Sequence, residues 1–425
     1  MAEQIKSLKT GIKYKDTPIG KIPVDWEVIR LSDICDVIGG STPSTARKDF
    51  WNGDIPFATP TDITNLHGRE ISDTKQKITQ EGLSSCGTRL LPAGSVLLTS
   101  RATIGACAIN ARPMATNQGF ASLVCSEKAY NWYIFYEMML RKNELQRLGS
   151  GSTFKEVSKN SLRQLNITLP PLAEQKKIAE ILSTVDEAIE KTDQVIEKTK
   201  EAKKGLMHRL LTRGIGHKKF KKTELGEIPT NWVISSIGEI SNMRRGASPR
   251  PIGDLSYFSN IGRGWVRISD VTSSYKYLKN TSQYLSGKGI SKSVKVNPGD
   301  LIMSICATIG KAIILDSEAC IHDGFVFFSD LSEKINSEFL FYVLQKNESY
   351  FVKKGQIGSQ GNLNTDIVKR TLFPLPLFPE QKRITEIIST IDSAIERESK
   401  HKHQLAFLKT GLIQVLLTGR IRVKA

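Results

Sequence analysis

The chain has 425 residues, with 60 Lys and Arg against 43 Asp and Glu, which gives a formal net charge of +17. This length exceeds what one hydrophobic core usually organises and predicts two to four domains. The basic balance indicates a polyanionic partner, most commonly nucleic acid, with a merely soluble basic protein as the plain alternative.

Several classes of protein are excluded by composition. The most apolar segment, 301–315, is short and contains Lys311, so it predicts a pair of buried strands rather than a membrane span. The first 16 residues lack the apolar core of a secretory signal. Six scattered cysteines without CxxC spacing predict reduced thiols in a cytoplasmic protein rather than disulfides or a zinc site.

The N-terminal part of the chain predicts a domain of mixed structure. Gly and Pro interrupt short β-branched and aromatic runs such as VLLTS at 96–100, which is typical of a buried strand. A helix is predicted near 130–147, and its aromatic residues are interpreted as core. A long helix follows the proline-rich stretch LPPLAEQ and ends at Gly214, with Glu174 at its positive end.

The rest of the chain repeats this order of elements. A buried strand is predicted at LIMSI, 301–305, and a helical stretch at 337–354. A second long helix follows LPLFPEQ and extends from 380 to the end of the chain. Each half is therefore predicted to be an α+β domain followed by a long helix.

A repeat with a period of about 206 residues underlies this order. EQKKIAEILSTVDEAIE at 174–190 returns as EQKRITEIISTIDSAIE at 380–396, identical at 12 of 17 positions. GKIPVDWEV at 20–28 returns as GEIPTNWVI at 226–234, and the GGSTPS loop, an ATIG turn and an xxGF turn recur at nearly the same offset. A period this long indicates two whole domains rather than a solenoid.

Both long helices carry apolar residues with a 3.5-residue period, which is typical of a coiled-coil seam. Glu398 and His401 interrupt the second seam. Because the first helix leads away from the first domain and the second leads back, we expect an antiparallel pair with pseudo-twofold symmetry, roughly 60 Å long at about 1.5 Å per residue. The predicted seam residues include Ile178, Ile181, Val185, Thr192, Val195, Ala202 and Leu206, and then Ile384, Ile387, Ile391, Leu405, Leu408 and Leu412.

The long helices hold little of the net charge. Residues 174–213 contain 9 basic and 8 acidic residues, and residues 380–420 contain 7 and 5. Most of the +17 therefore lies on the globular segments, where we expect the polyanion to bind.

These motifs resemble the specificity subunit of a type I restriction–modification enzyme. The resemblance rests on GxIPxxW at each domain's start, on ATIG and xxGF within each domain, and on LPPLAEQKKIAEIL at the first long helix. It implies target recognition domains at 1–173 and 215–379, and spacer helices at 174–214 and 380–425. Each domain would read one half of an asymmetric, bipartite DNA target.

The resemblance also implies the partners. Two modification subunits would dock on the helices and bring S-adenosylmethionine to methylate adenine, while restriction subunits would use ATP and Mg²⁺. The chain itself would bind double-stranded DNA, carry no cofactor, bind no metal, contact no membrane and have no catalytic role.

The sequence also lacks the motifs of the catalytic activities of such complexes. No [DN]PP[YF] tetrad of an adenine methyltransferase and no GxxxxGK[ST] phosphate loop occurs. The E-x-K triplets at 174–176, 201–203 and 380–382 lack the preceding PD of a nuclease motif. They are interpreted as surface charge on the helices.

Candidate DNA contacts are side chains suited to phosphates or base edges in the repeated loops. The glycines of GGSTPS are interpreted as allowing close approach to DNA. The candidates are Ser41, Thr42, Arg47, Lys48, Thr61, Arg101, Asn117, Gln118, Thr153 and Lys155 in the first domain, and Arg244, Arg245, Arg250, Arg267, Lys311, His322 and Gln360 in the second.

Positions that differ between the domains are the better candidates for base reading, because two different half-sites need different contacts. Arg101 against Cys306, and Asn117–Gln118 against His322–Asp323, are such positions. The shared ATIG and xxGF turns are interpreted as scaffold or as phosphate-facing.

A second hypothesis stays open at this point. The chain could be a coiled-coil adaptor whose basic charge is incidental. An adaptor, however, has no need for two diverged basic domains at matched offsets.

Overall fold

A computed structural model describes residues 12–149, 155–356 and 362–423 of the chain. It divides into two compact units. The first unit comprises residues 1–195 and 398–425, and the second comprises residues 196–397. Each unit therefore contains one globular segment together with part of both long helices.

The first unit mixes strands with short helices. Its strands are β1 Tyr14–Thr17, β2 Gly20–Pro23, β3 Glu27–Arg30, β4 Cys35–Gly39, β5 Trp51–Ala58, β6 Glu70–Ile71, β7 Gln76–Ile78, β8 Val96–Leu98, β9 Cys107–Asn110, β10 Ala115–Thr116, β11 Ala121–Cys125 and β12 Asn166–Leu169. Its helices are α1 Pro60–Thr64, α2 Gln80–Ser84, α3 Asn131–Leu140, α4 Lys142–Leu148, α5 Lys159–Arg163 and the start of α6 Leu172–Arg213, with 3₁₀ turns at Leu31–Asp33 and Lys48–Phe50.

The second unit repeats this series. Its strands are β13 Phe220–Thr223, β14 Gly226–Pro229, β15 Val233–Ser236, β16 Asn242–Arg245, β17 Phe258–Ser259, β18 Arg263–Val266, β19 Tyr277–Leu278, β20 Gln283–Leu285, β21 Val294–Val296, β22 Leu301–Ser304, β23 Ala312–Leu315, β24 Ala319–Ile321, β25 Phe325–Ser329 and β26 Leu372–Leu375. Its helices are α7 Ile237–Ile240, α8 Ile268–Ser273, α9 Gly287–Ile290, α10 Ser337–Lys346, α11 Glu348–Gln356, α12 Thr365–Lys369 and the start of α13 Phe378–Leu416, with a 3₁₀ turn at Leu255–Tyr257.

The main sheets of the two units correspond strand by strand, and a second sheet has three strands in the first unit and five in the second. A five-stranded sheet has the order β4-β11-β8-β9-β6 in the first unit and β16-β25-β22-β23-β19 in the second. A second sheet has the order β10-β5-β7 in the first unit and β17-β20-β18-β24-β21 in the second. The α+β fold and its duplication, predicted from the period of the sequence, are confirmed.

The predicted core segments are also confirmed. Strands β22 and β23, which span the apolar segment 301–315, pair antiparallel and are buried. Most aromatic residues of the predicted helices lie in the core, where Tyr136 and Tyr342 are fully buried, but Tyr350 is exposed. The buried ones pack as core residues, because the apolar faces of α3 and α10 lie against the five-stranded sheets.

Each globular core extends into both long helices. In the first unit the core includes Ile178 of α6 and Leu416 of α13. In the second unit it includes Leu210 of α6 and Ile384 of α13. The long helices are thus partly integral to each unit rather than free rods.

The long helices are antiparallel within each unit, as predicted. In the first unit Lys402 lies 2.5 Å from Asp193, and Lys409 lies 2.6 Å from Asp186. A step of seven residues forward along α13 therefore corresponds to a step of seven residues backward along α6. In the second unit the Lys203 ammonium lies 2.8 Å from Asp392.

The predicted heptad seam is wrong in its phase along part of both helices. Val195 is 48% exposed while Ile196 is 5% exposed, and Leu408 is 49% exposed. The error arises because these helices also pack against a globular domain. A helix that buries two faces has a wider apolar stripe than a strict coiled-coil seam.

The E-x-K triplets are not all surface charge. Glu174 is buried and accepts a hydrogen bond from Trp26 Nε1 at 3.0 Å, and Glu380 accepts the equivalent bond from Trp232 Nε1 at 2.9 Å. Lys203 is buried as well. The interpretation of these charges as exposed is therefore wrong, because each has a buried partner inside its unit.

The glycines of the repeated loops serve the fold. A Cβ at Gly40 would overlap the carbonyl oxygens of Thr116 and Asn117, and a Cβ at Gly246 would overlap that of His322. The close approach that these glycines permit is to the protein's own backbone. The interpretation that they admit DNA is corrected accordingly.

We expect Gly40→Ala to lower the free energy of unfolding by about 1–3 kcal/mol, because the added methyl group has no room. Gly205→Ala is the matched control, since a Cβ there meets nothing within 4 Å in the interior of α6. That substitution should raise stability by about 0.5–1 kcal/mol through helix propensity. Urea unfolding of both variants measures the difference, and equal stabilities would contradict the packing argument.

Candidate nucleic-acid interface

Three of the predicted candidates in the second unit, Arg245, Arg250 and His322, lie at Asp323. Arg250 Nη2 donates to Asp323 Oδ2 at 3.0 Å, and Ser248 Oγ donates to Asp323 Oδ1 at 2.7 Å. Arg245 Nε donates to the Asp323 carbonyl at 2.7 Å, and His322 is the adjacent residue. The loop after β16 and the xxGF turn between β24 and β25 therefore form one cluster.

The first unit has the same cluster with different chemistry. Thr42 Oγ1 donates to Gln118 Oε1, at the positions equivalent to Ser248 and Asp323. A neutral amide thus stands in the first unit where the second unit has a carboxylate bonded by Arg250 and Ser248. Gln118 is exposed, so its amide nitrogen is presented to solvent.

Electrostatics keep the Asp323 carboxylate charged. The hydrogen bond from Ser248 lowers the pKa of Asp323, and the positive charge of Arg250 acts in the same direction. The charged carboxylate orients the Arg250 guanidinium by a charge-assisted hydrogen bond, while the Asp323 backbone carbonyl holds Arg245.

Asn117 and His322 shape their turns as well as facing the cluster. The Gly119 N–H donates to Asn117 Oδ1 at 2.9 Å, and the Gly324 N–H donates to His322 Nδ1 at 2.9 Å. Since Nδ1 accepts, the imidazole is neutral with its proton on Nε2. The nearby Asp323 Oδ1, 3.7 Å from Nδ1, is therefore not an ion-pair partner.

The environment of His322 favours this neutral form. Burial lowers the pKa of His322, the positive charge of Arg267 lowers it further, and Asp323 opposes both effects. Only the Nε2 edge of the ring remains to donate outward. If this position reads a base, as predicted, the contact is made by the Nε2–H of His322.

Thr61 and Arg267 lie at the starts of equivalent short helices but at different positions, because Arg267 is the N-cap residue and Thr59 is the N-cap residue in the first unit. Thr61 lies in α1, whose first residue Pro60 packs against the turn at Gly119. Arg267 immediately precedes α8, and its charge reaches His322. Both are exposed.

Other candidates lie on neighbouring segments, and Arg101 follows Ser100, whose backbone N–H donates to the Gly119 carbonyl of the first cluster's turn at 2.8 Å. Arg47 is exposed and forms a two-bonded pair with Asp49, at 2.9 and 2.6 Å, next to Lys48. Arg101 lies 2.9 Å from Glu156. Lys311 follows the ATIG turn of the second unit, where its backbone N–H donates to Ser304 Oγ at 3.1 Å.

The remaining candidates are distributed as follows. Ser41 donates its backbone N–H to the Thr116 carbonyl at 3.1 Å, beside the first cluster. Arg244 is exposed on β16 next to Arg245. Lys155 borders a cavity together with Thr103. Thr153 and Gln360 lie outside the described residues.

The ATIG motif forms the same turn in both units. Ala102 and Ala307 both have a φ of +57°, a left-handed conformation that is uncommon for alanine. Thr99 Oγ1 closes the first turn by donating to the Thr103 carbonyl at 2.6 Å, and Ser304 Oγ makes the same bond to Thr308. The motif therefore serves as scaffold.

Sequence reasoning missed the polar contacts that attach each domain to its long helix. The Tyr136 hydroxyl donates to Asp186 at 2.7 Å, and the Tyr342 hydroxyl donates to Asp392 at 2.6 Å. The signal was present, because these tyrosines and aspartates recur with the 206-residue period.

Some kinds of site are absent from the part of the chain that the structure describes. No group of three or more His, Cys, Asp or Glu side chains there could hold a metal ion. No helix in that part has the length and apolar character needed to cross a bilayer. All six cysteines are free thiols, as predicted.

Comparison with known proteins identifies the family. The family model of the type I restriction modification DNA specificity domain matches residues 23–200 and again residues 229–406. The MjaVIII type I restriction enzyme specificity subunit of Methanocaldococcus jannaschii is 30% identical over 418 residues, 95% of each chain. The MjaIX specificity subunit of the same organism is 35% identical over 265 residues, 60% of each chain.

A solved structure agrees on the fold. The S subunit of a type I restriction–modification system from M. genitalium has a TM-score of 0.58 at 12% identity, over 93% of this chain and 96% of that one. The chain therefore belongs to the family of type I restriction–modification specificity subunits. It is a non-catalytic DNA-recognition subunit with two target recognition domains.

We expect His322→Asn to weaken the acid sensitivity of folding. Because the pKa of His322 is lowered in the folded state, the unfolded chain binds the proton first as the pH falls below about 6.5. Stability is then lost progressively until the pH reaches the lowered folded pKa. Asparagine, which stands at the equivalent position 117, keeps the turn without this titration.

The measurement is the melting temperature of both proteins between pH 7.5 and pH 5.5. The His322→Asn variant should lose less stability over that range than the parent protein. An equal loss in both proteins would show that His322 is already free to protonate in the folded state.

Proposed function

We propose that the chain reads an asymmetric, bipartite duplex DNA target with one unit on each half-site. The observation that carries the proposal is the cluster at the xxGF turn, which keeps one backbone frame in both units but changes its polar groups. A reader of two different half-sites requires this combination of shared frame and divergent contacts.

The two clusters offer different base contacts. In the first unit, the Gln118 amide can donate to and accept from adenine in the major groove. In the second unit, Arg245 and Arg250 suit guanine or phosphate, and the His322 Nε2–H can donate to a base acceptor. Exposed Arg244 suits a phosphate. The half-sites should therefore differ in sequence.

The partner subunits follow from the repeated attachment of the helices. The contacts between domain and long helix recur in both units, so each unit offers an equivalent surface for one modification subunit, two in all. Those subunits would supply S-adenosylmethionine, and restriction subunits would supply ATP- and Mg²⁺-dependent steps. We propose that the complex acts on DNA in the cytoplasm.

The domain organisation is part of the proposal. The two recognition domains would occupy residues 1–173 and 215–379, and the paired spacer helices would occupy residues 174–214 and 380–425. A coiled-coil adaptor would make no use of the divergent clusters.

The direct test is selection from a random duplex pool by the chain assembled with its modification subunits. Sequencing of the bound DNA should return two short, different half-sites separated by a gap of fixed length. The proposal fails if the complex shows no preference for any sequence over random DNA.

Exchange of one domain tests whether the units read independently. Replacing residues 38–160 by the equivalent residues 244–366 places the second reader in both units. The selected target should become an inverted repeat of the second half-site, because the frames are related by the internal repeat. Retention of the original first half-site would show that bases are read elsewhere in the chain.

Lengthening both helices tests whether they set the gap. Seven residues inserted after Val195 and seven after Arg397 keep the helix faces nearly in phase and add about 10 Å. If the paired helices set the separation, the gap should grow by about three base pairs at 3.4 Å each. The bases of both half-sites should stay the same.

The control carries the insertion after Val195 only. This change breaks the antiparallel register with α13 and should abolish specific binding. An unchanged gap with full affinity in the doubly lengthened protein would exclude the helices as the spacer.

A further inference from the structure

Both units carry a projecting segment that the clusters above do not include. We define it as residues 47–54 in the first unit and residues 254–262 in the second. Each segment contains a one-turn 3₁₀ helix followed by an excursion from the neighbouring strand. Trp51 and Ile55 both oppose Ile78, so residues 52–54 leave the sheet.

The excursion in the second unit has the same construction. Phe258 and Arg263 both oppose Leu285, and residues 260–262 between them leave the pairing. Both excursions contain three unpaired residues, and in the second unit Ser259 pairs with Tyr284 before the chain leaves the sheet. Residues 260–262 are exposed, as are residues 52 and 54 of the first unit.

The two projecting segments are held by equivalent contacts. Thr79 Oγ1 donates to the Asp49 carbonyl at 2.9 Å, and Ser286 Oγ donates to the Ser256 carbonyl at 2.6 Å. The same two hydroxyls cap the short helices α2 and α9. The first residues of the two 3₁₀ turns, Lys48 and Leu255, therefore occupy equivalent positions.

The exposed tips differ in chemistry between the two units. In the first unit they are Lys48, Asn52 and Asp54, all polar and exposed. In the second unit Leu255 is 82% exposed and Ile261 is 81% exposed. Side chains this exposed add nothing to the core, so folding does not account for a pair of them on one segment.

The support beneath the apolar tips is rigid. Tyr257 is buried, and its hydroxyl donates to the Arg250 carbonyl at 2.9 Å. The ammonium groups of Lys288 and Lys292 lie 4.6 and 5.3 Å from the centre of the Tyr257 ring. Asp254 caps the turn by accepting the Ser256 N–H at 2.9 Å. Binding through the tips would therefore cost little conformational entropy.

The sequence around the apolar tips is strongly basic. Residues 244–295 contain ten basic and two acidic residues, whereas the equivalent residues 38–89 contain six of each. A positive surface draws in a polyanion, and the major groove of DNA offers an apolar group between its phosphates, the 5-methyl group of thymine. Charge complementarity thus selects DNA as the occupant.

We infer that Leu255 and Ile261 recognise thymine by contact with its 5-methyl group in the half-site of the second unit. This inference rests on the proposed function and deepens it. A docking site for a shared protein partner would keep its chemistry in both units, as the contacts with the long helices do. The projecting segments instead change from polar to apolar on one frame.

The test uses the chain assembled with its modification subunits and the duplex selected above. Each thymine of the second half-site is replaced in turn by deoxyuridine, which removes only the methyl group. At one position or more, binding of the parent protein should weaken about fourfold, the change expected for one buried methyl group.

The double variant Leu255→Ala/Ile261→Ala should bind the thymine duplex at least about fourfold more weakly than the parent protein, with no further loss on the deoxyuridine duplex. Deoxyuridine in the first half-site should leave the ratio of the affinities of the parent protein and the double variant unchanged. Leu377→Ala is the matched control, since Leu377 of the same unit is 65% exposed outside the segment, and it should bind like the parent protein.

Several results would overturn the inference. Equal losses on thymine and deoxyuridine duplexes would show that the tips do not contact a methyl group. Loss of modification subunits from the double variant would assign the tips to a protein contact. The parent protein could prefer the selected duplex while the double variant and the removal of the thymine methyl group act independently; in that case only this inference fails. Absence of any sequence preference would instead contradict the proposed function.

Discussion

The structure depends on one buried glutamine in each long helix. Gln175 Oε1 accepts the Tyr130 N–H at 2.8 Å, while its Nε2 donates to the carbonyls of Lys128 and Pro170 at 3.1 and 2.9 Å. Gln381 makes the same three bonds in the second unit. An amide alone supplies both an acceptor and two donors, so neither Glu nor Leu would satisfy these buried backbone groups.

Charge pairs then fix the register between the helices inside each unit. The ion pair between Lys409 and Asp186 in the first unit is repeated in the second unit by Lys203 and Asp392. A tyrosine hydroxyl satisfies each carboxylate, at Asp186 and Asp392. Burial lowers the pKa of Lys203, and the charge of Asp392 opposes the shift. If one helix slid along the other, these buried charges would lose their partners. The ion pairs therefore specify one register between the two helices.

The period of the sequence predicted the two domains, the long helices and their antiparallel direction. It could not give the phase of the buried faces, since Val195 and Ile196 are both apolar and only the packing decides which is buried. Among the site candidates, Arg245, Arg250 and His322 meet at Asp323, whereas Arg101 pairs with Glu156. The exposed Leu255 and Ile261 carried no motif and were missed.

The sequence by itself determined the duplication and the DNA-recognition class, because repeated motifs and net charge are properties that survive without coordinates. Only the tertiary structure decided what the repeated residues do. Glu174 and Gln175 look like surface residues of an amphipathic helix, yet they are buried, because the loops that receive them come from elsewhere in the chain. Likewise, the clusters unite loops distant in sequence, and such contacts depend on how the strands pair rather than on local pattern.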